Sequence, residues 1–216
     1  MNKGRLEAFS DGVFAVAMTL LILDVRPEGH GLSGWEMFRH DWHSIMIYVL
    51  SFIIVGVYWV AHHHMMHFIA ATDRVFLWIN LLLLLDIVFI PYVAALLSAS
   101  HADPSAIRIY GATLILTNIT SSTLWHYATR KRRLVRPELP ATFARFVLLV
   151  NTGPVFVYGM AIVLASWHTN ISLVMFALVP AFFILPNRFL EKRIAHATEM
   201  MRQREDRPNA HPRPPP

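Results

Sequence analysis

The sequence predicts an all-α, polytopic membrane protein with six transmembrane helices, and three observations lead to this prediction. Hydrophobic residues make up 55% of the 216 positions, whereas charged residues make up only 15%. The mean hydropathy is positive, which is more apolar than a soluble domain of this length can usually bury. Six apolar runs are each long enough to cross a hydrocarbon core of about 30 Å, which takes roughly 17 to 25 helical residues.

The six predicted spans are separated by polar or turn-forming segments. They lie near residues 9–25, 44–68, 75–98, 107–128, 143–167 and 171–189. Asp103 and Ser105 are expected to cap the fourth span, and Pro104 suits the first turn of a helix. We expect residues 1–198 to form one transmembrane domain. Residues 199–216 are charged and then Pro-rich, a composition that predicts a disordered basic tail.

The distribution of cations predicts that both termini are cytoplasmic. With that orientation only Arg26, Arg39 and Arg108 lie outside, so 16 of the 19 Lys and Arg residues lie inside, as the positive-inside rule requires. These cations fall between apolar runs and in the tail, where anionic lipid headgroups are the natural partners and nucleic acid is not. The expected location is the plasma membrane, crossed several times.

Several classes of chemistry are disfavoured. The chain has no cysteine, which excludes disulfides, thiolate metal sites and thiol catalysis. No nucleophile stands with its base and no phosphate-binding loop is present, so we expect neither an enzyme nor a cofactor. His62, His63, His64 and His67 invite a metal hypothesis, since His63 and His67 have the spacing of a helical chelate. No carboxylate accompanies them in a known pattern, and we expect no metal.

The first span begins with Ser10 and Asp11. An unpaired carboxylate beside hydrocarbon costs several kcal/mol, so Asp11 should have a partner. Trp59, His62 and His63 share a face near the end of the second span and are candidate partners. At 100° per residue the opposite face of the first span carries Phe9, Gly12, Val16, Thr19, Leu20 and Leu23. Such a stripe indicates either ordinary helix packing or the lining of a pore.

The third span contains Asn80, Asp86 and Pro91. Pro91 removes a helical hydrogen bond and predicts a kink. Asp86 lies near the middle of the span and has two interpretations: a member of a proton or ion pathway, or a neutral acid bonded to a neighbouring helix. Asp24, at the outer end of the first span, is either a charge at a channel mouth or a solvated helix end.

Three motifs in the right order on successive spans resemble the endosomal and lysosomal potassium channel family known as transmembrane protein 175. The motif residues are Arg5, Phe9, Ser10 and Asp11 in the first span, Trp59, His62 and His63 in the second, and Asn80, Leu81 and Pro91 in the third. They cover residues 5 to about 91. The length of six spans resembles the prokaryotic branch of the family, in which one six-helix unit forms the chain.

The resemblance implies a homotetramer with the first helix of each chain around a central pore and potassium as the permeant ion. The Thr-Val-Gly-Tyr-Gly filter of ordinary potassium channels is absent, which favours a hydrophobic constriction of modest selectivity. The implied pore-lining residues are Val16, Thr19 and Leu23, with Leu20 beside them. A structural polar network is implied that includes Arg5, Phe9, Ser10, Asp11, Trp59, His62, His63 and Asn80.

Two positions depart from the family pattern. Val16 stands where a larger Leu or Ile is usual, which could move the constriction to Leu20 or Leu23. Asp86 stands where an apolar or small residue is more common. The alternative function is therefore a proton-coupled secondary transporter that uses Asp86 and the histidines of the second span, although the sequence has neither an evident internal repeat nor a pair of glycine-broken helices.

Overall fold

The computed structural model describes residues 3–25, 31, 33–130, 134–137, 139–185 and 199. The prediction of an all-α fold is confirmed. The described residues form seven α-helices and one 3₁₀ turn: α1 (Lys3–Leu20), the 3₁₀ turn (Leu21–Asp24), α2 (Gly34–His40), α3 (Trp42–Phe68), α4 (Arg74–Ala99), α5 (Pro104–Thr129), α6 (Ala141–Leu164) and α7 (Thr169–Ile184). Within this part of the chain the β pairing recorded is one isolated bridge between Ile69 and Val135.

The chain is a multi-pass membrane protein. Four helices are individually long and apolar enough to cross a bilayer, and they cover Lys3–Leu23, Trp42–Phe68, Arg74–Ala99 and Ala141–Leu164. The fourth predicted span corresponds to α5, which is 26 residues long but carries buried Thr113, Thr117, Asn118 and Thr120. The sixth corresponds to α7, an apolar helix of 16 described residues. Residues 186–189 of that span and the predicted tail, apart from Glu199, lie outside the described residues.

Two sides of the helix bundle can be distinguished because the five long helices and α7 alternate in direction. We call the side on which α1 begins the N-terminal side and the other the far side. α3, α5 and α7 end on the N-terminal side, where Trp125 Nε1 donates to Ala144 O at 2.9 Å. On the far side, Arg108 Nη2 donates to Ser166 Oγ. Pro91 lies inside α4, which continues to Ala99, and a kink there stays a prediction.

The order of packing leaves one side of α1 uncovered. α1 contacts α3 and α4, which also contact each other, so α1 lies in the groove between them. α5 packs against α4 and α6, while α7 packs against α6, α3 and α5. Phe14 and Ala17 of α1 join the main buried core with Ile54 of α3 and Ile87 of α4. The remaining face of α1 has no partner helix within the described chain.

A short helix on the far side, α2, was not predicted. Its N-terminus carries a capping box, in which Ser33 N donates to Glu36 Oε2 at 2.8 Å and Glu36 N donates to Ser33 Oγ at 3.4 Å. The Ser33 hydroxyl, and then its backbone N–H, holds the pKa of Glu36 below its usual range. The pattern Ser-x-x-Glu is a known sign of a helix start and could have revealed α2.

The predicted cap of α5 is present. Asp103 Oδ1 accepts from Ser105 N at 3.0 Å, and Asp103 Oδ2 accepts from the Ser105 hydroxyl at 2.6 Å and from Ala106 N at 3.3 Å. Pro104 occupies the first turn, where its missing N–H costs nothing. The Ser105 hydroxyl is the main reason that the pKa of Asp103 is lowered. The carboxylate therefore stays charged at the start of the helix at neutral pH, where negative charge is favourable.

Candidate functional site

A buried polar bridge ties α1 to both of its neighbours. Asn80 Nδ2 of α4 donates to Ser10 Oγ of α1 at 3.1 Å. His62 Nε2 of α3 lies 2.8 Å from Asn80 Oδ1. Because an amide oxygen can only accept, the imidazole N–H must be the donor. All three residues are buried, so Asn80 joins three helices at one point near the N-terminal side.

Asp11 has a partner from α3. Trp59 Nε1 donates to Asp11 Oδ1 at 2.9 Å. The Trp59 ring also lies 5.9 Å from the His63 ring, measured between centroids. A charge-assisted hydrogen bond of this kind stabilises the carboxylate at a site next to hydrocarbon. Together with the bridge through Asn80, it fixes the rotation of α1 about its axis and turns Ser10 and Asp11 toward the protein.

Two residues of the implied polar network remain outside these contacts. Arg5 and Phe9 are both exposed on α1. In the same turns, Lys3 Nζ lies 3.5 Å from Glu7 Oε1, an i,i+4 pair at the helix surface. Phe9 belongs to the same side of α1 as the apolar residues described next. Within one chain, the structure therefore unites Ser10, Asp11, Trp59, His62 and Asn80, with His63 beside Trp59.

The face of α1 opposite this network is apolar and uncovered. Val16 is 54% exposed, Leu20 37% and Leu23 62%, although apolar residues in the same helix such as Phe14 and Ala17 are buried. Gly12 and Thr19 are exposed on the same side. Thr19 Oγ1 donates to Val16 O at 2.8 Å. Its oxygen still has lone pairs that can face a cation.

The far end of α1 changes its helical form. The α-helix ends at Leu20, and Leu21–Asp24 form a 3₁₀ turn, whereas the sequence predicted one helix to residue 25. Leu21 is buried, while Ile22 and Leu23 are both exposed. A tighter turn places residues i and i+3 in line. Leu23 therefore lies on the same face of the helix as Leu20, nearer the far side of the bundle. The side chain of Asp24 lies outside the described part of the structure.

Asp86 is buried between α4 and α5. The Thr120 hydroxyl of α5 is its hydrogen-bond partner, and Asp86 Oδ2 is buried with no hydrogen-bond partner in the described chain. Other polar side chains of α5 also point inward: Asn118 Nδ2 donates to the Tyr58 hydroxyl of α3, and Tyr110 bonds Ser51 at 2.9 Å. The sequence offered a bond to a neighbouring helix as one interpretation of Asp86, without identifying Thr120. The contacts of Asn118 and Tyr110 were not predicted, because polar side chains on a span do not reveal their partners.

The histidines of α3 separate into two environments. His62 is buried in the bridge, whereas His63, His64 and His67 are exposed. Among the described residues, no three side chains of His, Asp or Glu are grouped closely enough to hold a metal ion. The absence of a metal in the functional protein stays a prediction.

A sequence profile of the family described as endosomal/lysosomal potassium channel TMEM175 matches residues 5–91. A protein of Streptomyces collinus named as a potassium channel is 38% identical over 152 residues, which are 67% of this chain and 74% of that protein. A protein of Gallus gallus named endosomal/lysosomal proton channel TMEM175 is 27% identical, over 85% of this chain and only 41% of its own length.

The fold has a counterpart of known structure. The crystal structure of a lysosomal potassium-selective channel TMEM175 homolog from Chamaesiphon minutus superposes with a TM-score of 0.73 and 27% identity, over 85% of this chain and 96% of that one. The family profile covers the same three helices that supply Ser10, Trp59, His62 and Asn80. By sequence and by fold, the chain belongs to the TMEM175 family of ion channels.

Proposed function

We propose that the chain is a cation channel that prefers potassium modestly and whose pore is formed by α1 of four identical subunits. The observation that carries the proposal is the two-sided character of α1. One side is fixed to α3 and α4 by buried polar contacts, and the other presents Val16, Leu20 and Leu23 with no partner in its own chain. The names of the relatives from S. collinus and C. minutus support the choice of ion.

The constriction is hydrophobic in this mechanism. Four copies of Leu20 and Leu23 around an axis form apolar rings that exclude water when the pore is narrow. Opening then requires α1 to move outward or rotate until ions can pass at least partly hydrated. In sequence, Thr19 lies between Val16 and Leu20, so its hydroxyl is next to the Leu20 ring. Four such oxygens would stabilise a partly dehydrated cation, though less strongly than a carbonyl filter.

The membrane setting follows from the charges. Both termini lie on the cytoplasmic side, and Arg74, Arg136 and Arg145 contact the anionic headgroups of that leaflet in a plasma membrane. Four Asp24 carboxylates, one per subunit, would raise the cation concentration at the outer mouth. No cofactor takes part in this mechanism, and potassium is the ligand that passes.

Potassium flux into liposomes that contain the purified protein tests the proposal. We expect passive flux that favours potassium over sodium, that rises in Leu23→Ala because the apolar ring widens, and that loses selectivity in Thr19→Ala. Val163→Ala on the outer surface of α6 is the matched control and should behave as the unmodified protein. If Leu23→Ala and Thr19→Ala leave both the flux and its selectivity unchanged, α1 does not line the pore.

A second candidate is a proton-coupled transporter, which the buried Asp86 favours. Its carboxyl group has Thr120 as partner and one oxygen without any, and buried acids inside membranes commonly bind the transported proton. In that case Asp86→Asn abolishes transport driven by a proton gradient. Unchanged flux of Asp86→Asn at every pH would eliminate this candidate and leave the channel.

A further inference from the structure

A groove between α5 and α6 carries polar side chains on the outside of the helix bundle. It has a volume of about 300 Å³. Its walls include Ile119, Ser122, Thr123 and His126 of α5 and Leu148 and Thr152 of α6. Ile119 is 50% exposed, and Thr123 and His126 are exposed as well, so the groove opens to the surroundings of the subunit. We call it the α5–α6 groove.

The hydroxyl groups of this groove lie at the level of the hydrocarbon core. α5 has 26 residues and is about 39 Å long, which exceeds a core of about 30 Å by about 9 Å. If the excess is shared equally, each end extends beyond the core by about 4–5 Å. Ser122 lies about 10 Å from the end of α5, and Thr152 about 16 Å from the start of α6. Lipid tails offer neither of them a hydrogen bond.

Ser122 is the hydroxyl of the groove that lacks a partner. Thr123 Oγ1 already donates to Ile119 O at 2.7 Å. In the same way, Thr152 Oγ1 donates to Leu148 O at 2.8 Å. Ser122 Oγ, in contrast, is buried and has no hydrogen-bond partner in the described chain. A ligand that brings an acceptor into the groove would therefore stabilise this hydroxyl.

Three basic side chains lie at the N-terminal side of the groove. Trp125 Nε1 donates to Ala144 O at 2.9 Å. The residues that follow these two along the chain, His126 and Arg145, are therefore at nearly the same level on α5 and α6. Arg130 follows His126 by about one helical turn. This end of the groove is closer to the headgroups than Ser122 is, and it is positively charged.

The two arginines belong to the walls of the groove and are not neutralised by an acid. At 100° per residue, Arg145, Leu148 and Thr152 lie within an arc of about 60° on α6. Arg130 lies about 40° from His126 on α5 by the same count. Both arginines are exposed, and the ion pairs of the described chain involve other residues. Their charges are therefore available to a ligand.

We propose that the α5–α6 groove binds one phospholipid with an anionic headgroup in each subunit. Arg130 and Arg145 bind the phosphate, and His126 can donate to it in either charge state. About 6 Å further along α5, the Ser122 hydroxyl donates to an ester carbonyl of the glycerol backbone. One acyl chain continues along Ile119 toward the middle of the bilayer.

This site differs from the general attraction between cations and anionic headgroups. That attraction depends on charge alone, so every arginine near the membrane surface contributes to it. The groove adds a hydroxyl donor at a fixed depth and a fixed shape. No described carboxylate lines it, so the cationic group of a zwitterionic lipid has no partner there. The site does not require α1 to line a pore, because it is formed by α5 and α6.

Native mass spectrometry of the full chain, freed of lipid and titrated with phosphatidylglycerol, tests the proposal. We expect one retained lipid per chain. Arg145→Gln should weaken its binding at least about tenfold, because a hydrogen bond between charged groups is lost. Arg74→Gln is the matched control, since Arg74 is exposed at the start of α4 and outside the groove. It should weaken binding by less than about twofold.

Two further variants test whether the lipid enters the groove. Ser122→Leu and Thr152→Leu fill it from opposite walls and leave the three basic side chains in place, so each should abolish retention of the lipid. Thr142→Leu makes a similar change at an exposed position at the start of α6 and should retain it. Because the two leucine variants alter different helices, either one that folds, as judged by circular dichroism, gives the answer.

The same titration identifies what the site recognises. Phosphatidylcholine should bind at least about tenfold more weakly than phosphatidylglycerol, and excess inorganic phosphate should not displace the bound lipid. Equal weakening by Arg145→Gln and Arg74→Gln would leave general attraction only and overturn the site. Lipid retained by the leucine variants would place it outside the groove. Equal binding of both lipids would overturn recognition of the headgroup, and displacement by inorganic phosphate would indicate a site for small anions instead.

Discussion

Replacing Asn80 with leucine is expected to lower the free energy of unfolding by about 2–6 kcal/mol. The change removes the acceptor of the His62 N–H and the donor to Ser10, and leaves both groups buried. A buried polar group without a partner costs about 1–3 kcal/mol. Water cannot easily replace the lost contacts in a bilayer. Thermal unfolding of the purified protein in detergent, followed by helical circular dichroism, measures the effect.

Asn170→Leu is the matched control for this prediction. Asn170 is exposed at the start of α7, and the same chemical change there should alter stability by no more than about 0.5 kcal/mol. If Asn80→Leu melts at the temperature of Asn170→Leu, the contacts through Asn80 contribute nothing to stability. The proposed attachment of α1 to α3 and α4 would then need another source.

Replacing Leu20 with asparagine is expected to raise potassium flux at least about tenfold, which corresponds to a barrier lower by about 1.4 kcal/mol. Leu20 lies on the exposed face of α1 between Val16 and Leu23. A ring of four amides binds water where a ring of four leucines excludes it, so the constriction stays wet at the same width. The measurement is potassium flux into liposomes with equal amounts of folded protein.

Leu20→Ile separates polarity from volume. Isoleucine has the size and the apolar character of leucine. Potassium flux through the Leu20→Ile variant should therefore equal that of the unmodified protein. Leu149→Asn places the same polar group on the outer surface of α6 and should not increase flux. If Leu20→Asn and Leu20→Ile conduct equally, the barrier to ions does not lie at Leu20, and a hydrophobic constriction there is wrong.

From the residues alone, the sequence predicted that Asp11 needs a partner and offered Trp59 among the candidates, and Trp59 Nε1 does donate to Asp11 Oδ1. The contacts of Asn80 were implied by the family resemblance only. Ser10, Asp11, Trp59, His62 and Asn80 all lie within or beside apolar runs, and each must find a partner on a neighbouring helix. On α1, the period of 100° per residue then placed Ser10 and Asp11 on a different face from the apolar residues. The physical cause is the same in both cases, since lipid does not solvate polar groups.

The sequence was less informative for helices whose buried face and lipid-exposed face are both apolar. α4 is apolar almost all round, so periodicity could not tell which side meets its own chain and which side remains uncovered at Leu85. The 3₁₀ turn at Leu21–Asp24 follows an apolar run that equally permits an α-helix. The inward contacts of Asn118 and Thr120 depend on the tertiary position of α5, and α2 was missed although its Ser33–Glu36 pattern was visible.

The bridge through Asn80 holds α1 near one end, so a tilt of this helix would pivot about that point. Ser10 is held at this point, while Val16 lies about 9 Å and Leu23 about 20 Å further along the helix. If α1 tilts by 10° about Ser10, Val16 moves by about 1.5 Å and Leu23 by about 3.4 Å. The aperture at the far side therefore changes more than twice as much as the aperture at Val16 for the same rotation.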